Sequence, residues 1–234
     1  MKGWKKGLWL CFLAVVLTLA GSGSVAVADD EEPGAPDKYH RYVYNQLINN
    51  GGKKWIKPIP SLSETEFPTF VEAYNHVIGL AMTGYADDIT VWGQEDYWAK
   101  SKKTRLIGLG DCDDWSIYLA ALLTYHTEQP VDVWVAGGMV TVPENGAGAG
   151  NAPRPYVGGH AWVVIPFSDD MWLVLDPVYP DVAAENPVVV RQYIPDLGGE
   201  FYVNEAYLEG FRFNNSDASG YLEGLLGGYF ASSQ

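Results

Sequence analysis

Residues 108–125 read GLGDCDDWSIYLAALLTY, and the architecture turns on how they are parsed. From Trp115 onward the run is apolar on nearly every side, which marks a helix buried all round at the centre of a domain. Asp111 or Gly110 supplies its N-cap, so Cys112 falls in the first helical turn, between Asp111 and the pair Asp113–Asp114. The free N–H groups and macrodipole of such an end favour an anion, and therefore a thiolate. The carboxylates oppose it. As exposed first-turn residues each is stabilised by the dipole by about 0.3–1 kcal/mol, and a cationic partner must outweigh their effect on the thiol.

On the N-terminal side the pattern is helical. SETEFPTFVEAYNHVIGLAMTGY sets Phe70, Val71, Tyr74, Val77, Ile78 and Met82 near helical spacing behind good capping residues. KYHRYVYNQLINN reads as a helix stopping at Gly51–Gly52, WIKPIPSLSE as a looping connector, and QEDYWAKSK as a short helix leading to the cysteine. On the C-terminal side the period changes to two. VDVWVAGGMVTV, GHAWVVIPF and MWLVLDPVY read as consecutive antiparallel strands, and EFYVNEAYLEGFRF as a further strand or short helix. Helices, then a central helix, then strands make an α+β pattern: an antiparallel sheet packed on helices.

The chain opens with a basic MKGWKK, an apolar GLWLCFLAVVLTLA and a small-residue stretch ending Ala26-Val27-Ala28, the layout of a cleaved secretory leader over residues 1–28. The apolar part is 14 residues, short of the ~20 that a spanning helix needs, so no membrane span is expected after cleavage. Cys11 leaves with the leader, and Cys112 is then the only thiol, without a disulfide partner. A lone thiol in an oxidising compartment is either a small buried hydrophobe or a working nucleophile. Loss of Lys2, Lys5 and Lys6 takes the formal charge from −14 to −17, which disfavours nucleic acid and anionic lipid.

A nucleophilic cysteine needs a base and a group to orient it. Of the four histidines, His126 lies on the cysteine's own helix, about 21 Å along its axis, and is excluded. His40 and His76 fall in helical segments where structural histidines are the rule. His160 opens a strand directly after the glycine-rich loop 143–159. That loop is either a substrate lid or an ordinary surface loop. If Phe167 pairs with Met171 across the Ser168-Asp169-Asp170 turn, Trp162 faces Asp176 and His160 becomes its diagonal neighbour, about 7–8 Å away at Cα. The register requires an odd loop, because a two-residue turn would shift it by one and point the two side chains to opposite faces, which would overturn the pairing.

The ordered set GDCDDWSIYLAALL, GHAWVVI and WLVLDPVY resembles the transglutaminase-like superfamily, and more closely its bacterial cysteine-proteinase branch. The likeness covers residues 65–180. It implies a papain-like core, with Cys112 as nucleophile, His160 as base and later acid, and Asp176 as orienter. It further implies an oxyanion-hole side chain upstream of the cysteine, for which Trp98 and Gln94 are the candidates. Some relatives need calcium held by acids flanking the cysteine. Asp111 and Asp113 match those positions, but two carboxylates do not make a six- to eight-oxygen site, and neither metal nor cofactor is expected.

The organisation expected is therefore a leader at 1–28, a linker and N-terminal helical segment at 29–64, a transglutaminase-like catalytic domain at 65–212 and a tail at 213–234. The leading function is an extracytoplasmic thiol hydrolase cleaving amide bonds of a protein or peptide substrate through a thioester. Acyl transfer from glutamine to an amine uses the same three residues. A catalytically silent peptide- or protein-binding domain is the reading from another class. Asn214-Asn215-Ser216 fits a glycosylation sequon.

Overall fold

The computed structural model describes residues 46–218 apart from 48, 95 and 96. The leader, the acidic stretch 29–37, His40 and the tail beyond 218 lie outside the described residues, as does most of the helix expected over 38–50.

Helix α1 (Phe70–Gly84) starts at a capping box, in which the Glu72 N–H donates to Thr69 Oγ1 and the Thr69 N–H to the Glu72 carboxylate. Two short helices follow, α2 (Asp88–Trp92) and α3 (Ser101–Ile107). Of the short helix expected over QEDYWAKSK, residues 97–100 stand outside any regular element and Ser101 and Lys102 open α3. The Ala99 N–H is taken by the Asp114 carboxylate at 2.7 Å, so it is lost to a helical ladder. The central helix is α4 (Cys112–Tyr125), and every residue from Trp115 to Leu123 is buried, as an all-round apolar run requires.

The strands are β1 (Trp134–Val142), β2 (Tyr156–Ser168), β3 (Met171–Leu175), β4 (Val188–Ile194), β5 (Gly199–Val203) and β6 (Tyr207–Phe213), with α5 (Pro180–Glu185) between β3 and β4. They pair antiparallel in chain order, and β6 returns to β1, closing a barrel. The α+β reading of an antiparallel sheet with helices holds at that level, and the sheet is a closed six-stranded one. Closure is weakest at β5–β6, joined by a single ladder pair, Val203 with Leu208. Side chains reinforce it: the buried Arg212 of β6 pairs with Glu209 and stacks on Trp172 of β3 at 3.8 Å and Tyr202 of β5 at 4.0 Å.

Helix α4 lies against β1 and β2. The connector at 55–60 joins this core, since Trp55, Ile56 and Ile59 are all buried. It is pinned by His126, whose Nε2 accepts from the Ile59 N–H at 2.9 Å while Nδ1 meets the Ser63 carbonyl at 2.8 Å. Among the described residues no helix is long and apolar enough to cross a membrane.

Candidate active site

The GLG motif is a packing device. Gly108 closes α3 in the left-handed conformation (φ +69°), which suits glycine. Gly110 pairs with Tyr85 as a parallel bridge, and a Cβ there would lie 2.5 Å from the Asp114 side chain. Asp111 is the N-cap residue, with extended backbone and no side-chain cap bond, and Cys112 is the first helical residue, half-buried.

The aspartates depart from their reading as exposed first-turn residues. Asp113 and Asp114 are both buried, and Trp92 and Ala99 close on Asp114. Asp114 Oδ1 accepts from the Ala99 N–H and Oδ2 from the Trp92 indole at 3.2 Å. Burial, then the neighbouring Asp111, pushes Asp114 up to about 7. The same causes, with Asp114 added, push Asp113 well above the carboxylate range. Donor atoms of Asp111, Cys112 and Asp113 lie within 4.8 Å of one another, as do those of Asp88, Asp111 and Asp114. The fold therefore adds Asp88 and Asp114 to the two carboxylates legible in the sequence. Among the described residues Asp113 Oδ2 is buried with no hydrogen-bond partner. That oxygen-rich, protonation-prone set fits a hard divalent cation, which would favour the ionised carboxylates in place of protons.

His160 and Asp176 are in contact. His160 Nε2 lies 2.7 Å from Asp176 Oδ2, and both side chains are buried. The route to that contact differs from the one expected. The hairpin turn is the two-residue Asp169–Asp170, with Ser168 opposite Met171, not the three-residue turn that the register was held to need. A β-bulge at Phe167 supplies the missing residue: Pro166 pairs with Trp172, and Val163 with Leu175. Two residues plus one bulged residue give the same parity as a three-residue loop, so His160 and Asp176 share a face. Phe167, the residue left out of the ladder, is 75% exposed.

Asp176 is held at every polar atom. Oδ1 accepts from the Val178 and Tyr179 N–H groups at 2.9 and 3.0 Å, and Oδ2 also accepts from the Tyr207 hydroxyl at 2.8 Å. The Tyr74 hydroxyl accepts from its N–H at 3.1 Å and donates to its carbonyl at 2.9 Å. Burial raises its pKa, but the charge of His160 and the hydrogen bonds from His160, the Tyr179 amide and Tyr207 outweigh it. The carboxyl stays below its ordinary value.

One turn beyond Cys112, the Ser116 hydroxyl donates to the carbonyl of Ala161, the residue after His160, at 3.0 Å. That bond fastens the start of α4 to the strand carrying the imidazole. Tyr179 spans the two: its ring centroid lies 5.1 Å from that of His160, and Cys112 is among the charges its hydroxyl feels. Tyr156 stacks on Tyr179 and is pushed up to about 12 by burial, then by Cys112 and Asp111. Burial, then Cys112, raises Tyr85 as well. All three tyrosines stay neutral around the thiol.

The other sequence candidates sit elsewhere. Trp98 stacks with Phe211 and Phe213 and meets Trp55 edge-on at 5.5 Å, which is a packing role, and Gln94 is exposed after α2. His76 packs on Phe67, and burial, then Arg105, lowers its pKa. The glycine-rich loop is shorter than expected because β2 begins at Tyr156. It is tied down: the Ala149 N–H donates to the Val178 carbonyl at 2.7 Å, and the Tyr179 hydroxyl to Pro153 at 3.1 Å. Gly148 lies so close to Tyr179 that a Cβ would come within 2.8 Å of its ring. The loop is thereby packed on the turn that follows Asp176. Asn214 spends its side-chain oxygen on the Ser216 and Asp217 N–H groups, closing a tight turn at the sequon.

Sequence reasoning missed Tyr74, Tyr207, Asp88 and Asp114 as contributors. Tyr74 stood on the apolar stripe of α1, where packing explains it. Tyr207 carried no local signal, since its place depends on closure of the barrel.

No family model matches the chain, and no curated protein matches it. Among solved structures, Legionella pneumophila LapG in an EGTA-treated form is similar at 15% identity, covering 85% of this chain and 80% of its own, with a TM-score of 0.38. A second LapG structure is 15% identical over 94% of both chains (TM-score 0.37), and a calcium-bound one 14% identical over 91% of this chain and 96% of its own (TM-score 0.36). Similarity at that level assigns no activity to this chain.

Proposed function

We propose that this chain is a transglutaminase-like thiol hydrolase that cleaves amide bonds in a protein or peptide, with Cys112 as nucleophile, His160 as base and Asp176 as its orienter. The observation that carries the reading is the buried 2.7 Å contact between His160 and Asp176, on a strand fastened to the helix that Cys112 begins. Nε2 is engaged by the carboxylate, so Nδ1 serves the thiol. The thiolate attacks the carbonyl carbon, forming a C–S bond while the carbonyl electron pair moves onto oxygen. N–H groups at the start of α4 support that oxyanion. Collapse breaks the C–N bond, and the leaving amine takes its proton from the imidazolium. Water, deprotonated by His160, then attacks the thioester and releases the acid and the thiol.

A divalent cation held by Asp88, Asp111 and Asp114 would neutralise acidic charge beside the thiol. The leader read over residues 1–28 supports action outside the cytoplasm. Alkylation of Cys112 by iodoacetamide across pH tests the reading. The expected midpoint lies well below 8.5, and His160→Ala returns it to about 8.5. A wild-type midpoint near 8.5 that His160→Ala leaves unchanged sinks it. Amine incorporation against hydrolysis on a glutamine-containing protein then identifies the acyl acceptor.

A further inference from the structure

Tyr207 lies outside every motif that marks the site, yet it reaches the centre of it from β6. Its hydroxyl donates at 2.8 Å to Asp176 Oδ2, the same oxygen that meets His160 Nε2 at 2.7 Å. The other oxygen, Oδ1, is filled by two backbone N–H groups. A carboxylate has about four lone-pair sites, and all four are occupied here by donors from β2, from β6 and from the turn after Asp176.

We propose that Tyr207 is a positioning residue of the site, whose hydroxyl fixes the rotation of the Asp176 carboxylate so that Oδ2 stays on His160 Nε2. The consequence for turnover rests on the thiol-hydrolase reading; the effect on Asp176 and His160 does not. Packing alone calls for an aromatic ring, since Tyr207 meets Trp162 at 5.0 Å between centroids and is buried. A phenylalanine would fill that role without the cost of burying a hydroxyl, which only a hydrogen bond offsets. Burial, then the charge of Asp176, raises the Tyr207 pKa far above its ordinary value, so the hydroxyl remains a donor at every working pH. Without it, Oδ2 has one donor, and that donor is the imidazole which must move protons, so only the two N–H groups on Oδ1 resist rotation of the carboxylate as the ring moves. By drawing on the charge of Oδ2, the hydroxyl also keeps the shared proton on the imidazole.

The test is Tyr207→Phe, checked for its fold by circular dichroism and read in two ways. In protein labelled with 15N-histidine and 13C-aspartate, the low-field Nε2–H resonance of His160 should move and the Asp176 carboxyl should titrate at higher pH. The midpoint for iodoacetamide alkylation of Cys112 should rise by about one pH unit, a tenfold change in the equilibrium that forms the thiolate. A folded variant with wild-type resonances and titration overturns the inference. Should Cys112 behave as an ordinary thiol in both proteins, the hydrolase reading fails, and the Asp176 titration still decides the role of Tyr207. If Tyr207→Phe does not fold, replacement of Tyr207 by 3-fluorotyrosine keeps the shape and makes the hydroxyl a stronger donor. The His160 resonance should then move, and an unmoved resonance refutes the claim.

Discussion

Replacing Asp176 by asparagine changes one atom type and no volume, so its effect can be worked from the hydrogen bonds. Oδ1 accepts from two backbone N–H groups, those of Val178 and Tyr179. An amide NH2 cannot sit there, because donor would face donor, so the asparagine oxygen must take the Oδ1 place and its NH2 the Oδ2 place. That NH2 then points at His160 Nε2 and the Tyr207 hydroxyl. Nε2 becomes an acceptor, the neutral ring carries its proton on Nδ1, and Nδ1 can no longer take a proton from Cys112. The thiol should revert to a pKa of about 8.5, leaving about 0.3% thiolate at pH 6. All four contacts persist, those to His160 and Tyr207 with donor and acceptor exchanged, but each loses the charge that strengthened it. Hydrogen bonds to charged groups contribute about 1 kcal/mol more than neutral ones, which sums to about 4 kcal/mol. For a chain of this size that is a fall in Tm of about 8–16 °C. Alkylation across pH and thermal melts followed by circular dichroism measure both effects. A variant that alkylates with the wild-type midpoint would show that Asp176 does not set the His160 tautomer, and the reasoning falls with it.

Two glycines of α1 should respond with opposite sign. A Cβ on Gly79 meets nothing within 4 Å, so Gly79→Ala should raise stability by about 0.5–1 kcal/mol. A Cβ on Gly84 would lie 2.2 Å from the Gly108 carbonyl oxygen, so Gly84→Ala should cost at least about 2 kcal/mol; denaturant midpoints at equal m-value decide both, and equal effects refute the packing of α1 on the GLG turn. The acidic cluster predicts a pH-dependent response to calcium. Asp113 and Asp114 titrate above the ordinary carboxylate range, the latter at about 7. With EGTA present the folded chain therefore keeps protons that the unfolded chain releases between about pH 4 and 7, and stability falls as pH rises through that window. Millimolar calcium should raise Tm at pH 8 much more than at pH 5.5, and an equal response at both refutes the site.

What was legible in the sequence was local. The apolar girth of α4, the alternation in β2 and β3 and the caps of α1 are properties of neighbouring residues, and they led to Cys112, His160 and Asp176 without a structure. Even the register of the β2–β3 hairpin was legible, though its mechanism was not. A three-residue loop and a two-residue turn with one bulged residue have the same parity, and SDD with an exposed Phe167 before it is compatible with either. Closure of the barrel was not legible. It depends on β6 finding β1 across more than sixty residues of chain, through a bulge at Gly137–Gly138. A pairing of that range has no local signature, and Tyr207 was hidden with it.

The acidic flanks of the cysteine were misread for a related reason. A carboxylate in a first helical turn is ordinarily solvated, and its effect on a neighbouring thiol is then screened and small. Here Trp92 and Ala99 close on Asp114, both Asp113 and Asp114 are buried, and burial turns a weak surface field into a strong local one. Whether that field opposes the thiolate depends on what neutralises it. Protons do so below about pH 7 by the titration of Asp114, and a divalent cation would do so above it. On the thiol-hydrolase reading His160 is the thiolate's partner, and its pull on the thiol is opposed by the aspartates until they are neutralised. The occupancy of the acidic cluster is thus coupled to the state of the thiol, and the pH at which Cys112 alkylates should shift downward on adding calcium. A midpoint that calcium leaves in place would mean that the cluster stabilises the fold without acting on the thiol.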